Sequence, residues 1–256
     1  MTRDRGAGTV GAILLDIEGT TTPITFVETV LFPYARTHLG SHLDHHAASP
    51  EYEALLSRLR DERDVSAQAG EPVPLWTDGL QRARVASAVA FAEWLMDRDR
   101  KSTPLKELQG RIWADGYRRG HLVGQVFDDV PRALRRWQER RVPVGIFSSG
   151  SVLAQQLLFR HSCAGDLTPF LSWYFDTQVG PKVAPESYRR IASDLGLAPE
   201  TVMFVSDVTR ELDAASEAGM QVRLSIRPGN RPTSPDGYET IASFDELVPP
   251  NGAPRQ

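Results

Sequence analysis

The stretch A-I-L-L-D-I-E-G-T-T-T-P, residues 12–23, decides how the rest of the chain is read. Ala12 to Leu15 is an apolar run of the kind a strand buried on both faces needs. It ends in two carboxylates, Asp16 and Glu18, and then in Gly19, three threonines and Pro23. Glycine and proline break the strand. Acids at such an end lie where open parallel sheets bind ligands, beyond the carboxyl ends of their strands.

Working outward, the pattern after Pro23 is helical for roughly 100 residues. Phe26, Val30, Ala35 and Leu39 recur on one face, the span 51–64 is charged with Leu55, Leu56 and Leu59 inward, and two more helices follow at 80–96 and 105–117. The second half alternates. Helices at 131–140, 152–161, 186–195 and 210–218 are interleaved with apolar strands at 142–147, 171–175, 201–205 and 221–226. Alternation of this kind predicts βαβ units, a parallel sheet and helices on both faces. The first strand most simply joins that sheet, which makes the helical block an insertion. The expected fold is α/β, a Rossmann-like doubly wound sheet built from residues 1–24 and 126–256, with an all-helical cap at 25–125.

The composition sets bounds. The chain has 256 residues, 41% of them hydrophobic, and a net charge of −4. That length supports an adequate core, and the charge argues against a nucleic-acid partner and gives no reason to expect a membrane surface. No apolar run approaches the ~20 residues of a membrane span. No signal peptide is legible at the start, and the Pro/Gly-rich end from Pro249 is expected to fray. The single cysteine, Cys163, rules out an intrachain disulfide and fits a reducing cytoplasm. A cytoplasmic monomer is expected.

Each predicted strand ends in a polar group: Asp16 and Glu18, then Ser148 and Ser149, then Asp207. Lys182 stands just before a helix in the same half. Together they suit phosphate chemistry. Asp16 and Asp207 can hold a hard cation through oxygen, and magnesium is favoured because it shares its sphere with a substrate phosphate. Ser148, Ser149 and the N–H groups opening the following helix form an anion cradle, and Lys182 adds positive charge. An aspartate, ionised near neutrality, attacks phosphorus without a base once repulsion is cancelled. Glu18, two residues on, points to the same side in an extended segment, where it can act as an acid or offer its backbone carbonyl to the metal. Singly, each residue reads as a helix cap or a solvated charge; the set, on separate strand ends, does not.

This order of motifs resembles the haloacid dehalogenase-like phosphohydrolases. The runs LLDIEGTTTPITFV, LFPYA, LQGRIW, SSGS, FDTQVGPKV, SDVTRE and RPGN resemble, more narrowly, the enolase-phosphatases of methionine salvage, the acireductone synthase family. The resemblance implies a helical cap after strand one. It also implies a bifunctional enzyme that enolises 2,3-diketo-5-methylthiopentyl-1-phosphate and then dephosphorylates it to 1,2-dihydroxy-3-keto-5-methylthiopentene. On the matching positions it implies magnesium, one ion per chain, at Asp16, Glu18 and Asp207, and substrate binding by Ser148, Ser149 and Lys182, with Asp16, Glu18 and Lys182 catalytic.

Some positions stay open. The enolisation base is not fixed by spacing, with Glu18, Lys101 and Lys106 as candidates. Phe26, Phe32 and Tyr34 read first as core packing and second as a pocket for the methylthio tail under a closing cap. Glu211 is expected no nearer the substrate than a neighbour of the site. The GAGTVG run at 6–11 precedes its strand and so is no dinucleotide motif. Ile146 breaks a G-x-S-x-G elbow around Ser148. His38, His42, His45 and His46 read as a solvated face, since Gly40 makes a helix there doubtful. Cys163 has no paired base. Other readings are a phosphatase of a different small phosphomonoester and an aspartyl phospho-acceptor signalling module, which would not place its acceptor ahead of a helical insertion.

Overall fold

The structure, a computed structural model, describes residues 10–231, 234–235 and 237–247. The tail from Pro249 and most of the GAGTVG run lie outside the described residues. Strand β1 (Ala12–Leu15) is followed by α1 (Ile24–Phe26), a turn of π-helix (Val27–Leu31) and four longer helices: α2 (Phe32–His46), α3 (Pro50–Gln68), α4 (Gln81–Asp97) and α5 (Thr103–Arg118). Alternation then sets in with α6 (Asp129–Glu139), β2 (Val144–Phe147), α7 (Val152–Arg160), β3 (Trp173–Phe175), α8 (Pro185–Leu195), β4 (Val202–Ser206), α9 (Thr209–Glu217), β5 (Gln221–Ser225) and β6 (Thr240–Ile241). The chain divides into two compact units. One runs through Glu28 and resumes at Val123; the other is Thr29–Leu122.

In the first unit the six strands are parallel, in the order β3-β2-β1-β4-β5-β6. Strand order reverses at β1, so the carboxyl ends of β1, β2 and β4 flank the crevice where doubly wound sheets bind ligands. Every residue of β1, β2 and β4 is buried. Leu14, Phe147, Phe204 and Leu224 from four strands pack with Tyr188 and Ile191 of α8 and Leu212 and Ala215 of α9. The two-residue β6 is too short to carry a pattern and was not expected from the sequence.

The RPGN loop is anchored from beneath. Arg227 donates to Asp129 at 2.8 Å, and the two side chains are only 3% and 8% exposed. The same Asp129 oxygen also accepts from the Phe244 N–H and the Ser243 hydroxyl, and Arg227 Nε donates to the Thr20 carbonyl. Removing one partner strands the other charge in the core. Asp129→Ala is expected to cost about 3–5 kcal/mol, lowering Tm by about 10 °C in a thermal melt.

In the second unit, Leu39, Leu43, Leu55, Leu59, Phe91, Leu95 and Leu108 form a fully buried core, and the Trp113 indole donates to the Leu31 carbonyl at 2.8 Å. The helix passes through Gly40 and continues to His46. Burial of Ala35, Leu39 and Leu43 outweighs the cost of about 1 kcal/mol for a glycine within a helix. Among the aromatics weighed for a pocket, Phe26 is core, Tyr34 stacks on His38 and bonds His121, and Phe32 is exposed beside Trp113.

Candidate active site

Asp16 leaves the end of β1 with its N–H bonded to the Val205 carbonyl, so the adjacent β4 sets its height. Beyond it the chain turns tightly: Thr20, Thr21 and Thr22 N–H groups all donate to the Ile17 carbonyl, and Thr21 Oγ1 bonds the Asp16 carbonyl. Gly19 sits at φ +71°, and a Cβ there would collide with the Asp207 carboxylate. Only glycine lets Asp207 come in against the β1 loop. Asn230 and Ser225 donate to the Gly19 carbonyl at 2.9 and 3.2 Å, pinning that loop to the RPGN segment.

Lys182 reaches the same place from the loop before α8. Tyr188 donates to its carbonyl at 2.7 Å, and Ser187 Oγ donates to the Pro181 carbonyl. The Lys182 ammonium lies 2.5 Å from Asp16 Oδ1 and 2.6 Å from Glu211 Oε2, all three side chains being largely buried. Glu211 is therefore part of the site, not a bystander. Its signal was present in the sequence: it stands in the first turn of the helix that follows the polar end of β4. Ser206 fixes it further with a 3.0 Å bond. Asp213 is turned elsewhere, to the Tyr238 hydroxyl.

Ser148 and Ser149 follow directly on β2. The Ser148 oxygen accepts from the Gly150 N–H, leaving its own proton to donate. The N-terminus of α7 is a narrower anion cradle than expected. Ser151 takes the Ala154 N–H and Asp176 takes the Val152 N–H, so these two donors are already spent on the chain itself.

Asp16, Glu18, Ser148, Ser149, Lys182, Asp207 and Glu211 thus line one cavity of about 220 Å³ with Glu28 and Arg231 at its rim. Arg231 and Glu28 pair at 3.0 Å across that rim. Four carboxylates crowd around one lysine. Burial, then Asp16 and Glu211, push the Asp207 carboxyl up to about 7. Glu18 still meets solvent at the mouth, but the surrounding protein and the Asp16 charge push it up to about 7 as well. Burial and Asp16 raise Glu211, with Lys182 opposing them. Burial pulls Lys182 down, but Asp16 and Glu211 outweigh it and hold it above its ordinary value.

The donor set fits a hard divalent cation, since Asp16, Glu18 and Asp207 offer only oxygen and their mutual repulsion is what added positive charge relieves. A measurable consequence follows from the sign of the shifts. Raised values mean that Glu18, Asp207 and Glu211 hold protons in the metal-free native state that the unfolded chain releases between about pH 4 and pH 7, so their contribution to stability falls as pH rises through that window. The buried imidazole of His42, lowered to about 4, works in the opposite direction. Magnesium is expected to raise Tm more at about pH 8, where the site acids are ionised, than at about pH 5, where they are protonated. A magnesium effect equal at both would separate the ion from these acids.

The other sequence candidates fall elsewhere. Lys101 is solvent-exposed in the helical unit, and Cys163 is exposed on the sheet unit. The four histidines are not one solvated face: His42 is 8% exposed, and burial lowers its imidazole to about 4, leaving it neutral.

A family model of haloacid dehalogenase-like hydrolases matches residues 10–219. An enolase-phosphatase E1 of Synechococcus elongatus is 51% identical over 238 residues, which is 93% of this chain and 98% of that one. The enzyme of the same name from Pseudomonas aeruginosa is 46% identical over 94% of this chain and 99% of its own. Among solved structures, the UTR4 protein of Saccharomyces cerevisiae superposes with a TM-score of 0.75 at 31% identity, covering 92% of this chain and 99% of that one.

Proposed function

The chain belongs to the haloacid dehalogenase-like hydrolases and, within them, to the enolase-phosphatase E1 family, and on that premise we propose how its residues act. The protein is an enolase-phosphatase that converts 2,3-diketo-5-methylthiopentyl-1-phosphate to 1,2-dihydroxy-3-keto-5-methylthiopentene and phosphate, a step of methionine salvage. The observation that carries the residue assignment is the meeting of Asp16, Lys182 and Asp207, from three distant parts of the chain, in one cavity at the reversal point of the sheet.

Asp16 is the nucleophile. Its carboxylate oxygen forms the bond to phosphorus as the ester oxygen leaves, and water then cleaves the aspartyl phosphate. Lys182, held 2.5 Å from Asp16, cancels charge on the attacking carboxylate and on the phosphoryl oxygens. Ser148 and Ser149 orient those oxygens with their hydroxyls. Glu18, pushed up to about 7, moves protons: it takes the acidic proton next to the dicarbonyl in the first step and protonates the leaving oxygen in the second. Magnesium held by Asp16, Asp207 and the Glu18 backbone carbonyl would cancel repulsion at phosphorus and polarise the substrate carbonyl. Glu211 positions Lys182 and does not touch substrate. We further place the enzyme in the cytoplasm as a monomer acting on this small metabolite, without nucleic acid or membrane, in keeping with its net charge and single cysteine.

The test is direct. Purified protein with the diketone phosphate and magnesium is expected to show an enol absorbance in the ultraviolet and one phosphate per substrate. EDTA should stop both and magnesium restore them. Phosphate release without an enol signal would favour the alternative, a phosphatase of another small phosphomonoester. Full activity in chelator would remove the metal assignment.

A further inference from the structure

The helical unit carries a second cluster that the chemistry above does not use. His42 and His46 stand one turn apart on the same face of α2, and Asp115 of α5 faces them. Asp115 Oδ2 lies 3.1 Å from His42 Nδ1 and 3.8 Å from His46 Nε2, and all three ligand atoms fall within 4.8 Å of one another. Ligands bound at 2.0–2.1 Å in a tetrahedron stand ~3.4 Å apart, so these spacings need only small side-chain rotations.

We propose that His42, His46 and Asp115 form a binding site for a zinc-class transition-metal ion that cross-links α2 to α5, with solvent in the fourth position.

The surroundings are those of a metal site and not only of a helix contact. The second nitrogen of His42 is held by the Tyr52 hydroxyl at 2.6 Å, which fixes the ring so that Nδ1 faces Asp115. Metal-bound imidazoles are held through their other nitrogen in this way. The His46 ring stacks on Tyr52 at 5.2 Å and 18°, which orients it too. The other oxygen of Asp115 accepts from Arg118 at 2.9 Å, so Oδ2 is the one presented to both rings. His46 is 45% exposed on its side chain, and this gives the ion a way in. Two imidazoles and one carboxylate favour zinc over magnesium, which prefers all-oxygen shells. The proton balance closes within His42. Its single proton, on Nδ1 facing Asp115 when no ion is present, moves to Nε2 and is donated to the Tyr52 oxygen, while Nδ1 gives its lone pair to the ion.

The experiment uses the full chain in saturating magnesium, so that the all-oxygen site is filled, and cobalt(II) as the probe. Wild type is expected to take up one equivalent with the visible absorption of a four-coordinate nitrogen-containing site. In His46→Ala, whose lost ring is half exposed and outside the catalytic cavity, cobalt affinity should fall by at least about 100-fold, the upper end for losing even an outer partner. Phosphate release without cobalt should be unchanged. Asp115→Asn should weaken binding as well, and zinc should raise Tm by about 5 °C in wild type but not in His46→Ala. Equal cobalt uptake in wild type and His46→Ala, or none in wild type, overturns the site.

Discussion

Asp16→Asn is expected to abolish phosphate release, by at least about ten-thousandfold, while the protein stays folded. The amide is nearly isosteric but offers no anionic oxygen to phosphorus, so the loss falls on kcat. Lys182 keeps its second partner, Glu211, at 2.6 Å, and the core beneath is untouched. One negative charge fewer in the cavity relieves Asp207, whose raised value owes part to Asp16. A melting curve no lower than that of wild type would accompany the inactive enzyme. Because Glu18 remains, the enol is expected to form at saturating magnesium and to accumulate with its phosphate attached. Phosphate release within tenfold of wild type would strike Asp16 from the role of nucleophile. Failure of both signals would place Asp16 in the first step too.

Lys182→Met should lower kcat by roughly a thousandfold, the upper range for removing one charge-stabilising donor. Methionine fills much of the volume over the Phe147 ring, where the ammonium now sits 5.7 Å from the centroid, so packing is largely kept. The charge is not kept. Asp16, Glu18, Asp207 and Glu211 would then face one another without the buried ammonium between them, and removing one member of a buried pair costs about 3–5 kcal/mol. The fall in Tm is expected to be larger in metal-free protein than in magnesium, because an ion held by the carboxylates would take over part of the neutralisation. A variant that lost activity with no change in magnesium dependence would show that Lys182 acts on the phosphate alone.

Much of this was legible along the chain. An apolar run of four residues closed by Asp16, Glu18 and Gly19 identifies a buried strand with a polar end, because backbone burial, turn chemistry and charge are local properties. The alternation after residue 126 specifies a parallel sheet for the same reason, and strand ends at 148 and 207 name their polar residues. Sequence alone also ranked the histidines and the α7 amides, and these it ranked wrongly. His42 is buried because Asp115 and Tyr52 come from other helices. Two of the α7 amides are taken, one by Asp176, which lies 24 residues from Val152.

Local order in the chain therefore determined which elements form, their sequence and which residue types end them. Tertiary structure alone decided partnership: that Lys182 meets Asp16 across 166 residues, that Arg227 meets Asp129 across 98, and that a helix runs on through Gly40. Periodicity reports which face of an element is buried, but not against what. The energy of a charge depends on what stands within a few ångströms of it, and those neighbours come from anywhere in the chain.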